Sequence, residues 1–474
     1  MVENSQTPET TEPTRESQEL RDVPHTDVHL SKDFVSQLEA AIESDDTGDV
    51  WKLLEEVHAA DVADILEVLA SGKRKKLINL LGDKLDPEVL SEIEGEAQDD
   101  LYEHMPNEQI ADAVTDMETD DAVYVIEELD DDDRQEVMGK LPADDRVAIE
   151  ESLAYPEDSA GRLMQRQLFS VPEFWTIGQT IDFLRSDNED IPEDFYDVFV
   201  VDPGHRPVGT VPLSRIMRTN RPITIGDIMD KEPYVIDVYA DQEEVAYQFT
   251  KYHLISASVV DEGQRLVGVI TVDDVVDVIE EEAEEDILAL AGVRDESGVN
   301  ESFLEIIKGR FMWLFVNLAT AVLASYVISH FEATIEQLVA LAVLMPIVAS
   351  MGGNAGTQTM TVAVRALATK ELSATNAFRV MNRELLAALL NGLMLAAVAG
   401  LVAWLWFASP LLGTIFAAAM MFNIFVAGLC GILVPIGLQR AQIDPAIASS
   451  VFVTTITDVV GFFVFLGLAA MFII

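Results

Sequence analysis

Long apolar segments fill the last third of the chain. From residue 311 onward, five of these segments approach or exceed the roughly 20 residues that an α-helix needs to cross a bilayer. Turn-forming and charged residues separate them, so they predict five separate membrane-spanning helices. We place these helices at residues 311–329, 335–367, 385–408, 411–438 and 445–474.

Shorter apolar patterns fill residues 32–155. Apolar positions recur there at intervals of three and four, which indicates short amphipathic helices, and Gly72, Pro87 and Pro106 interrupt the pattern. Short helices at such intervals are typical of a stacked helical array. Residues 1–31 are polar and lack the apolar core of a signal peptide, so we expect a disordered tail.

An internal repeat occupies residues 156–276. The pair Val201 and Asp202 recurs as Val260 and Asp261, at an offset of 59 residues. Alternating apolar residues on both sides of a turn predict a strand, a turn, a second strand and then a helix in each half. The repeat therefore predicts an α/β unit that is built twice.

Charge divides the chain between two solvents. The sequence has 83 acidic and 30 basic residues, and only six of the acidic ones lie from Phe311 onward. With a net charge of −53, we expect no nucleic-acid partner. The acids of the helical array form either a solvated surface, in part a salt-adapted one, or a surface that binds divalent cations. The single cysteine, Cys430, lies in an apolar segment and excludes a disulfide framework.

The densest run of acids precedes the first apolar segment. Nine carboxylates fall within residues 273–286, and spacings of three and four place several of them on one helical face. Like charges at these spacings destabilise a helix. A cation such as Mg²⁺, held by one or two carboxylates and its own waters, would turn that repulsion into attraction.

One carboxylate lies deep within an apolar segment. Asp458 is 13 residues after Pro445 and 16 before Ile474, too far from either end for its short side chain to reach water. An ionisable residue at this depth indicates a functional site. Because no Lys or Arg is embedded in these segments to neutralise it, we expect a cation as its partner.

The second apolar segment carries a polar motif at residues 346–358. Its glycines, amides and hydroxyls are expected to interrupt the helix and to free carbonyl oxygens toward a cavity. Asn354, Gln358 and Thr361 share one helical face. Helix packing through small residues is the alternative explanation for Gly356 and Thr361, but it leaves Asp458 without a partner.

A dimer would place two Asp458 side chains around one axis and supply two charges to one divalent ion. Mg²⁺ loses its water reluctantly. We therefore expect a largely hydrated ion whose outer shell contacts Asp458 and the oxygens near Asn354.

The repeated unit resembles a tandem pair of CBS domains. The resemblance rests on Gly-Arg-Leu-Met at residues 161–164, Gly-Asp-Ile-Met at residues 226–229 and Gly-Val-Ile-Thr-Val-Asp-Asp at residues 268–274. It implies a regulatory module that pairs into dimers and binds an adenine nucleotide such as ATP. Thr271 and Asp274 would hold the ribose hydroxyls.

The order of parts resembles the MgtE family of magnesium channels. The most specific motifs are Gly-Gly-Asn-Ala-Gly-Thr-Gln at residues 352–358 and Thr-Asp-Val-Val-Gly at residues 457–461. The resemblance implies a homodimeric Mg²⁺ channel with permeant and regulatory Mg²⁺ sites. The metal-binding residues expected from it are Asp458, Asn354 and Gly353 in the pore, and Glu243, Asp274, Asp277, Glu282, Glu285 and Asp286 in the acidic region.

These observations predict a multi-domain membrane protein. It combines an α-helical N-domain, α/β tandem CBS domains, an acidic connecting (plug) helix and an all-α transmembrane domain of five helices. The boundaries that we expect are residues 1–31 for the tail, 32–155 for the N-domain, 156–276 for the CBS domains, 277–302 for the plug helix and 303–474 for the transmembrane domain.

Basic residues predict the orientation in the plasma (inner) membrane. Arg365, Lys370, Arg379 and Arg383 lie between the second and third apolar segments, and Arg440 lies between the fourth and fifth. By the positive-inside rule, the N-terminus is cytoplasmic and the C-terminus is outside.

The predicted function is Mg²⁺ import through a channel that closes when cytosolic Mg²⁺ binds the acidic region. The alternative is a secondary transporter of Mg²⁺, Mn²⁺ or Co²⁺, although the five unequal segments lack the internal repeats common in such transporters. An enzyme is not expected, because Asp458 has no His or Lys beside it in the sequence. An anion channel would present basic groups to its pore.

Overall fold

A computed structural model describes residues 31–186, 191–192, 195–293, 303–372 and 375–473. Nearly all of the predicted tail, the end of the predicted plug segment (294–302) and Ile474 lie outside these residues. The chain divides into two compact units. The first ends at Ala240 and includes residues 256–270, and the second contains residues 241–255 and the chain from Thr271 onward.

Ten short helices and one 3₁₀ turn (Gly82–Lys84) fill the described chain from Lys32 to Leu153. Their buried apolar faces form one hydrophobic core. The helices are α1 (Lys32–Glu43), α2 (Thr47–Leu54), α3 (Ala59–Val68), α4 (Ser71–Leu81), α5 (Val89–Glu92), α6 (Gly95–His104), α7 (Asn107–Asp116), α8 (Thr119–Glu128), α9 (Asp131–Lys140) and α10 (Ala143–Leu153).

A buried apolar residue in extended conformation ends each of five successive helices. These residues are Ile93, Met105, Met117, Leu129 and Leu141, spaced twelve residues apart. Each points into the core while the chain turns to start the next helix. The array therefore has a twelve-residue period, which the apolar pattern alone did not reveal.

Two arginines stabilise the corners of this array, the turns between one helix and the next. Arg74 donates to the carbonyl oxygens of Leu66 (2.8 Å) and Leu69 (3.0 Å), which lie at the end of α3 and have no helical partner. Sixty residues later, Arg134 makes the same contacts with Ile126 and Leu129. Arg74 is buried and also pairs with Asp100 at 2.6 Å, so it ties α4 to α6.

Two small sheets follow, and they reproduce the predicted repeat. In the first, β1 pairs parallel with β2, and β2 pairs antiparallel with β3. In the second, β4 pairs parallel with β5, and the strand order is β4-β5-β6. The offset of 59 residues holds for β2 with β5 and for β3 with β6. The elements are α11 (Ala160–Leu163), β1 (Ser170–Pro172), α12 (Ile177–Leu184), β2 (Asp197–Val201), β3 (Pro207–Pro212), α13 (Leu213–Arg218), α14 (Ile225–Ile228), β4 (Val235–Asp237), α15 (Gln242–Tyr252), β5 (Ser256–Val260) and β6 (Leu266–Thr271).

The remaining helices comprise the acidic helix, one short helix and five helices that are long and apolar enough to cross a membrane. Each of the five belongs to one of the predicted apolar segments. The helices are α16 (Val272–Ala291), α17 (Phe303–Ser329), α18 (Glu332–Gln337), α19 (Ala340–Ala368), α20 (Ala377–Phe407), α21 (Pro410–Arg440) and α22 (Pro445–Phe472).

Three of the predicted membrane helices have different starting points. The first, α17, begins eight residues before residue 311. The second begins at Ala340 rather than at residue 335, because Leu338 leaves helical geometry (φ −140°, ψ 85°) and separates α18 from α19. The third begins at Ala377 rather than at residue 385. Its first turns carry Arg379 and Arg383, so this helix extends beyond its apolar part.

Helix α21 packs against α19, α20 and α22. Glycines allow these close approaches: a Cβ on Gly400 of α20 would lie 2.9 Å from the carbonyl oxygen of Gly413 on α21. A Cβ on Gly356 of α19 would lie 2.5 Å from Val453 of α22. Small residues at helix interfaces are typical of membrane bundles, where van der Waals contact replaces the hydrophobic effect.

Replacing Arg74 tests the corner contacts of the helical array. We expect Arg74→Met to destabilise α3, α4 and α6 by about 3 kcal/mol, because it leaves buried carbonyls unpaired and Asp100 without its closest cation. Hydrogen exchange of the full chain measures this loss in those helices.

Lys76→Met is the matched control, because its exposed pair with Asp45 (3.5 Å) contributes less than about 1 kcal/mol. Equal protection of α3, α4 and α6 from hydrogen exchange in the two variants would contradict the role assigned to Arg74.

Candidate metal sites and ion path

Asp458 lies near the midpoint of α22 and is half-buried. One side of the helix is fixed by packing: Thr457 is fully buried, and Gly461 faces Val348 of α19. Asp458 lies beside this packed stripe. Among the described residues it makes no hydrogen bond or ion pair, so none of them neutralises its charge.

The polar motif of the second apolar segment does not interrupt its helix. Helix α19 is continuous from Ala340 to Ala368, so the expected break with freed carbonyl oxygens is wrong. Because a bilayer offers no water, the backbone N–H and C=O groups of this motif must form hydrogen bonds within the helix. This requirement outweighs the conformational flexibility of glycine. Gly352 and Gly356 instead allow α21 and α22 to approach closely, whereas Gly353 faces open space.

The predicted polar face of α19 is exposed in the single chain. Asn354, at the midpoint of the helix, is exposed together with Gln358 and Thr361. Amide side chains at this depth cannot be left facing hydrocarbon without a large free-energy cost. Among the described residues, no hydrogen bond connects Asn354 with Asp458.

The acidic helix α16 has two faces of different burial. Glu282, Glu285 and Asp286 are partly buried, whereas Asp277, Glu280, Glu281 and Glu284 are exposed. The partly buried face continues to Ala289, which packs against Met360 and Val453 of the membrane helices. The face of α16 that lies against the rest of its unit therefore carries three carboxylates and, at its end, apolar residues.

Four carboxylates from three elements form what we call the acidic patch: Glu243 of α15, Glu282 and Asp286 of α16, and Asp444, which caps α22. Burial, with Glu243 and Asp241 nearby, raises the pKa of Glu282 to about 7, although Gln242 donates a hydrogen bond to it (3.0 Å). Burial and the charge of Asp444 also raise the pKa of Asp286.

Glu243 is open to solvent on one side, yet desolvation on its other sides raises its pKa, and Lys370 opposes this shift. The patch thus concentrates negative charge that the chain only partly compensates. Its carboxylates do not form a preassembled cage, because among the described residues only Asp100, Glu103 and His104 bring three ligand atoms within 4.8 Å. Binding of a hydrated ion through one or two carboxylates does not require such a cage.

Lys370, in the connection after α19, contacts α15. Its ammonium pairs with Glu244 and lies 4.4 Å from the ring centre of Tyr247. In the sequence, Lys370 indicates only the orientation of the membrane helices, and no motif marks Glu244 or Asp444. Glu244 is 126 residues away from its partner in sequence, so no local pattern indicates this contact.

Thr271 and Asp274 lie together at the start of α16. The Thr271 hydroxyl donates to the Asp274 carboxylate at 2.6 Å in a capping box, which stabilises the helix by itself. Their proximity is compatible with the expected ribose contacts. Asp277, which lies farther along the helix and is exposed, has a pKa raised by desolvation from the protein atoms around it and by the charges of Glu280 and Asp273.

The cluster of Asp100, Glu103 and His104 is better explained as an ion-pair network. Arg74 and Lys75 both contact the Asp100 carboxylate, at 2.6 and 3.3 Å. These cations already neutralise the group that would have to bind a metal ion.

Three family models match the chain. The model for a divalent cation transporter (MgtE) matches residues 345–468, and that for the MgtE intracellular N domain matches residues 57–158. The CBS domain model matches residues 225–281, which include the second of the two repeats.

Known proteins are similar over most of the chain. The magnesium transporter MgtE of Thermus thermophilus is 32% identical over 450 residues, which cover 93% of this chain and 98% of that protein. The magnesium transporter MgtE of Bacillus subtilis is 30% identical over 326 residues, which cover 69% of this chain and 72% of that protein. A crystal structure of the cytosolic domain of the Mg²⁺ channel MgtE in complex with ATP is 30% identical and covers 52% of this chain and 99% of that one, with a TM-score of 0.48.

The raised pKa of Glu282 predicts a dependence of stability on pH. In magnesium-free buffer, the folded chain holds this proton up to about pH 7, whereas the unfolded chain releases it near the ordinary value of 4.5. The folded state therefore loses stability as pH rises from 4.5 through 7. We expect the Tm of the purified chain to fall over this range and the fall to be smaller in Glu282→Gln.

Glu284→Gln, on the exposed face of the same helix, should keep the full dependence. If Glu282→Gln and Glu284→Gln gave identical pH profiles, the assignment of this proton to Glu282 would be wrong.

Proposed function

Because the chain belongs to the MgtE family of magnesium transporters, we propose that it is a homodimeric channel through which Mg²⁺ enters the cell. In this proposal, cytosolic Mg²⁺ binds the acidic region and closes the channel. The large acidic part is cytoplasmic, as the basic residues between the second and third membrane helices and after the fourth indicate.

The observation that carries the proposal is the unneutralised Asp458 at mid-membrane depth, together with the exposed polar face of α19. A buried charge is stable only with a partner, and exposed amides at this depth need either protein or water. A second copy of the chain would enclose both features around a shared axis. A cation in that enclosure would supply the missing charge.

Mg²⁺ fits this arrangement in a hydrated form. It keeps several of its waters and is usually bound through one or two carboxylates. Two Asp458 carboxylates would balance its charge, and the amide oxygen of Asn354 would contact its outer water shell beside Gly353, which faces open space and leaves room for that shell.

The acidic patch and Glu285 provide the proposed regulatory region. Without Mg²⁺ the carboxylates of Glu243, Glu282, Asp286 and Asp444 repel one another and favour separation of α15, α16 and α22. Mg²⁺ among them favours the compact arrangement, in which Ala289 packs on the membrane helices. Because each ion shifts the equilibrium only by its differential affinity, several ions, including one at Asp274 and Asp277, would give a steep response.

A nucleotide would extend this regulation. We propose that Thr271 and Asp274 bind the ribose of an adenine nucleotide such as ATP. Their proximity at the start of α16 brings the two ribose-binding groups together. A ligand held there would bias the position of the acidic helix.

Asp458→Asn tests the pore. We expect the variant to lower Mg²⁺ influx into proteoliposomes to the level of empty vesicles, because the neutral amide no longer supplies the charge that binds the ion. Wild type and variant are compared without any Na⁺ or H⁺ gradient, so that a coupled transporter would also be recognised. Glu336→Gln, at an exposed position of α18, should leave influx unchanged. Normal influx through Asp458→Asn would refute the pore assignment.

The triple variant Glu282→Gln, Glu285→Gln and Asp286→Asn tests the regulatory region. We expect the Mg²⁺ concentration that half-closes the channel to rise about tenfold, equivalent to ~1.4 kcal/mol, while maximal influx is retained. Influx is measured as Mg²⁺ is increased on the vesicle face that carries the acidic region.

The matched control replaces Glu280, Glu281 and Glu284 by Gln, which removes the same charge from the exposed face of the same helix. An equal shift in both triple variants would indicate a general charge effect and contradict a site on the buried face.

A further inference from the structure

Asn423 is a buried amide near the midpoint of α21. Its side chain is fully buried, and its neighbours along this helix are apolar or small. No motif in the sequence marks it. Because α21 packs against three other membrane helices, a polar group on it can act on several of them.

Three helices meet at this amide. The Asn423 Nδ2 donates to the backbone oxygen of Val348 on α19 at 2.9 Å. A Cβ at Gly352, also on α19, would lie 2.1 Å from Nδ2, and a Cβ at Gly461 on α22 would lie 2.7 Å from it. The two glycines therefore create the space that the amide occupies.

Packing alone does not account for an amide at this position. The Asn423 Oδ1 is buried and has no hydrogen-bond partner among the described residues. A buried, unpaired acceptor destabilises a fold, and an apolar side chain of similar volume would avoid this loss. The Val348 oxygen does not require the contact either, because it lies within a continuous helix that supplies its own hydrogen bonds.

The contact lies beside the proposed ion site on both helices. Gly352 comes two residues before Asn354, and Gly461 comes three residues after Asp458. Contacts between small residues permit helices to slide, whereas a hydrogen bond is directional and fixes one register.

We propose that Asn423 is a positioning residue that sets the register of Asn354 on α19 relative to Asp458 on α22. This inference rests on the proposed function, because the register matters only if both residues face the ion. Mg²⁺ holds its waters in a near-ideal octahedron, so outer-shell contacts from Asn354 and Asp458 must match fixed water positions, whereas Ca²⁺ accepts variable coordination. A looser register therefore reduces Mg²⁺ transport more than Ca²⁺ transport.

Asn423→Leu tests this role, with influx of Mg²⁺ and of Ca²⁺ measured separately in proteoliposomes. We expect the ratio of Mg²⁺ to Ca²⁺ influx to fall about tenfold, which is the usual size of such supporting effects. The Tm in detergent should stay equal to that of wild type or rise. Met420→Leu, a volume-conserving change at a buried position one turn earlier on α21, should change neither quantity.

An unchanged ratio of Mg²⁺ to Ca²⁺ influx in Asn423→Leu overturns the inference. This includes the case in which both fluxes fall equally and the Tm is lower, which would indicate a purely structural role. If Asn423→Leu does not fold, Gly461→Ala is the second test, because its added methyl group displaces the Asn423 amide. An unchanged ratio of Mg²⁺ to Ca²⁺ influx in this variant overturns the inference as well. Failure of the proposed function has a different signature, because wild type itself would then transport no Mg²⁺.

Discussion

A carboxylate at mid-membrane depth without a protein countercharge is the constraint on which the proposed ion path depends. Asp458 cannot reach water along its own helix, and no described residue pairs with it. Such a charge is expensive unless something compensates it, and in our proposal a transported cation would do so. The polar face around Asn354 requires the same explanation, because it too is exposed in a single chain.

The acidic helix α16 connects the charge of the acidic patch with the membrane helices. Glu282 and Asp286 belong to the patch, and Ala289, on the same face, packs against α19 and α22. In our proposal, a change in repulsion at one end of this helix would be transmitted to its packed end through a rigid element. The raised pKa of Glu282 reflects burial first and then repulsion from neighbouring carboxylates, and a divalent cation would relieve that repulsion.

Local periodicity and length predicted the membrane helices, the repeated α/β unit and the helical array, because each depends on spacings within one segment. The break expected at the glycines of α19 was wrong, because hydrogen bonding within the bilayer outweighs the local flexibility of glycine. The sequence did not predict the contacts of Asn423 and Glu244, because the partner of Asn423 lies 75 residues away and that of Glu244 lies 126 residues away. Such contacts depend on tertiary packing, which local spacing does not encode.

The most direct measurement is anomalous diffraction from crystals of the full chain grown with Mn²⁺ in place of Mg²⁺. Mn²⁺ also prefers carboxylate, carbonyl and water oxygens, and its anomalous scattering locates it. We predict one peak on the axis between two Asp458 side chains and further peaks among Glu243, Glu282, Asp286 and Asp444. Peaks confined to other surfaces, with neither place occupied, would contradict the account.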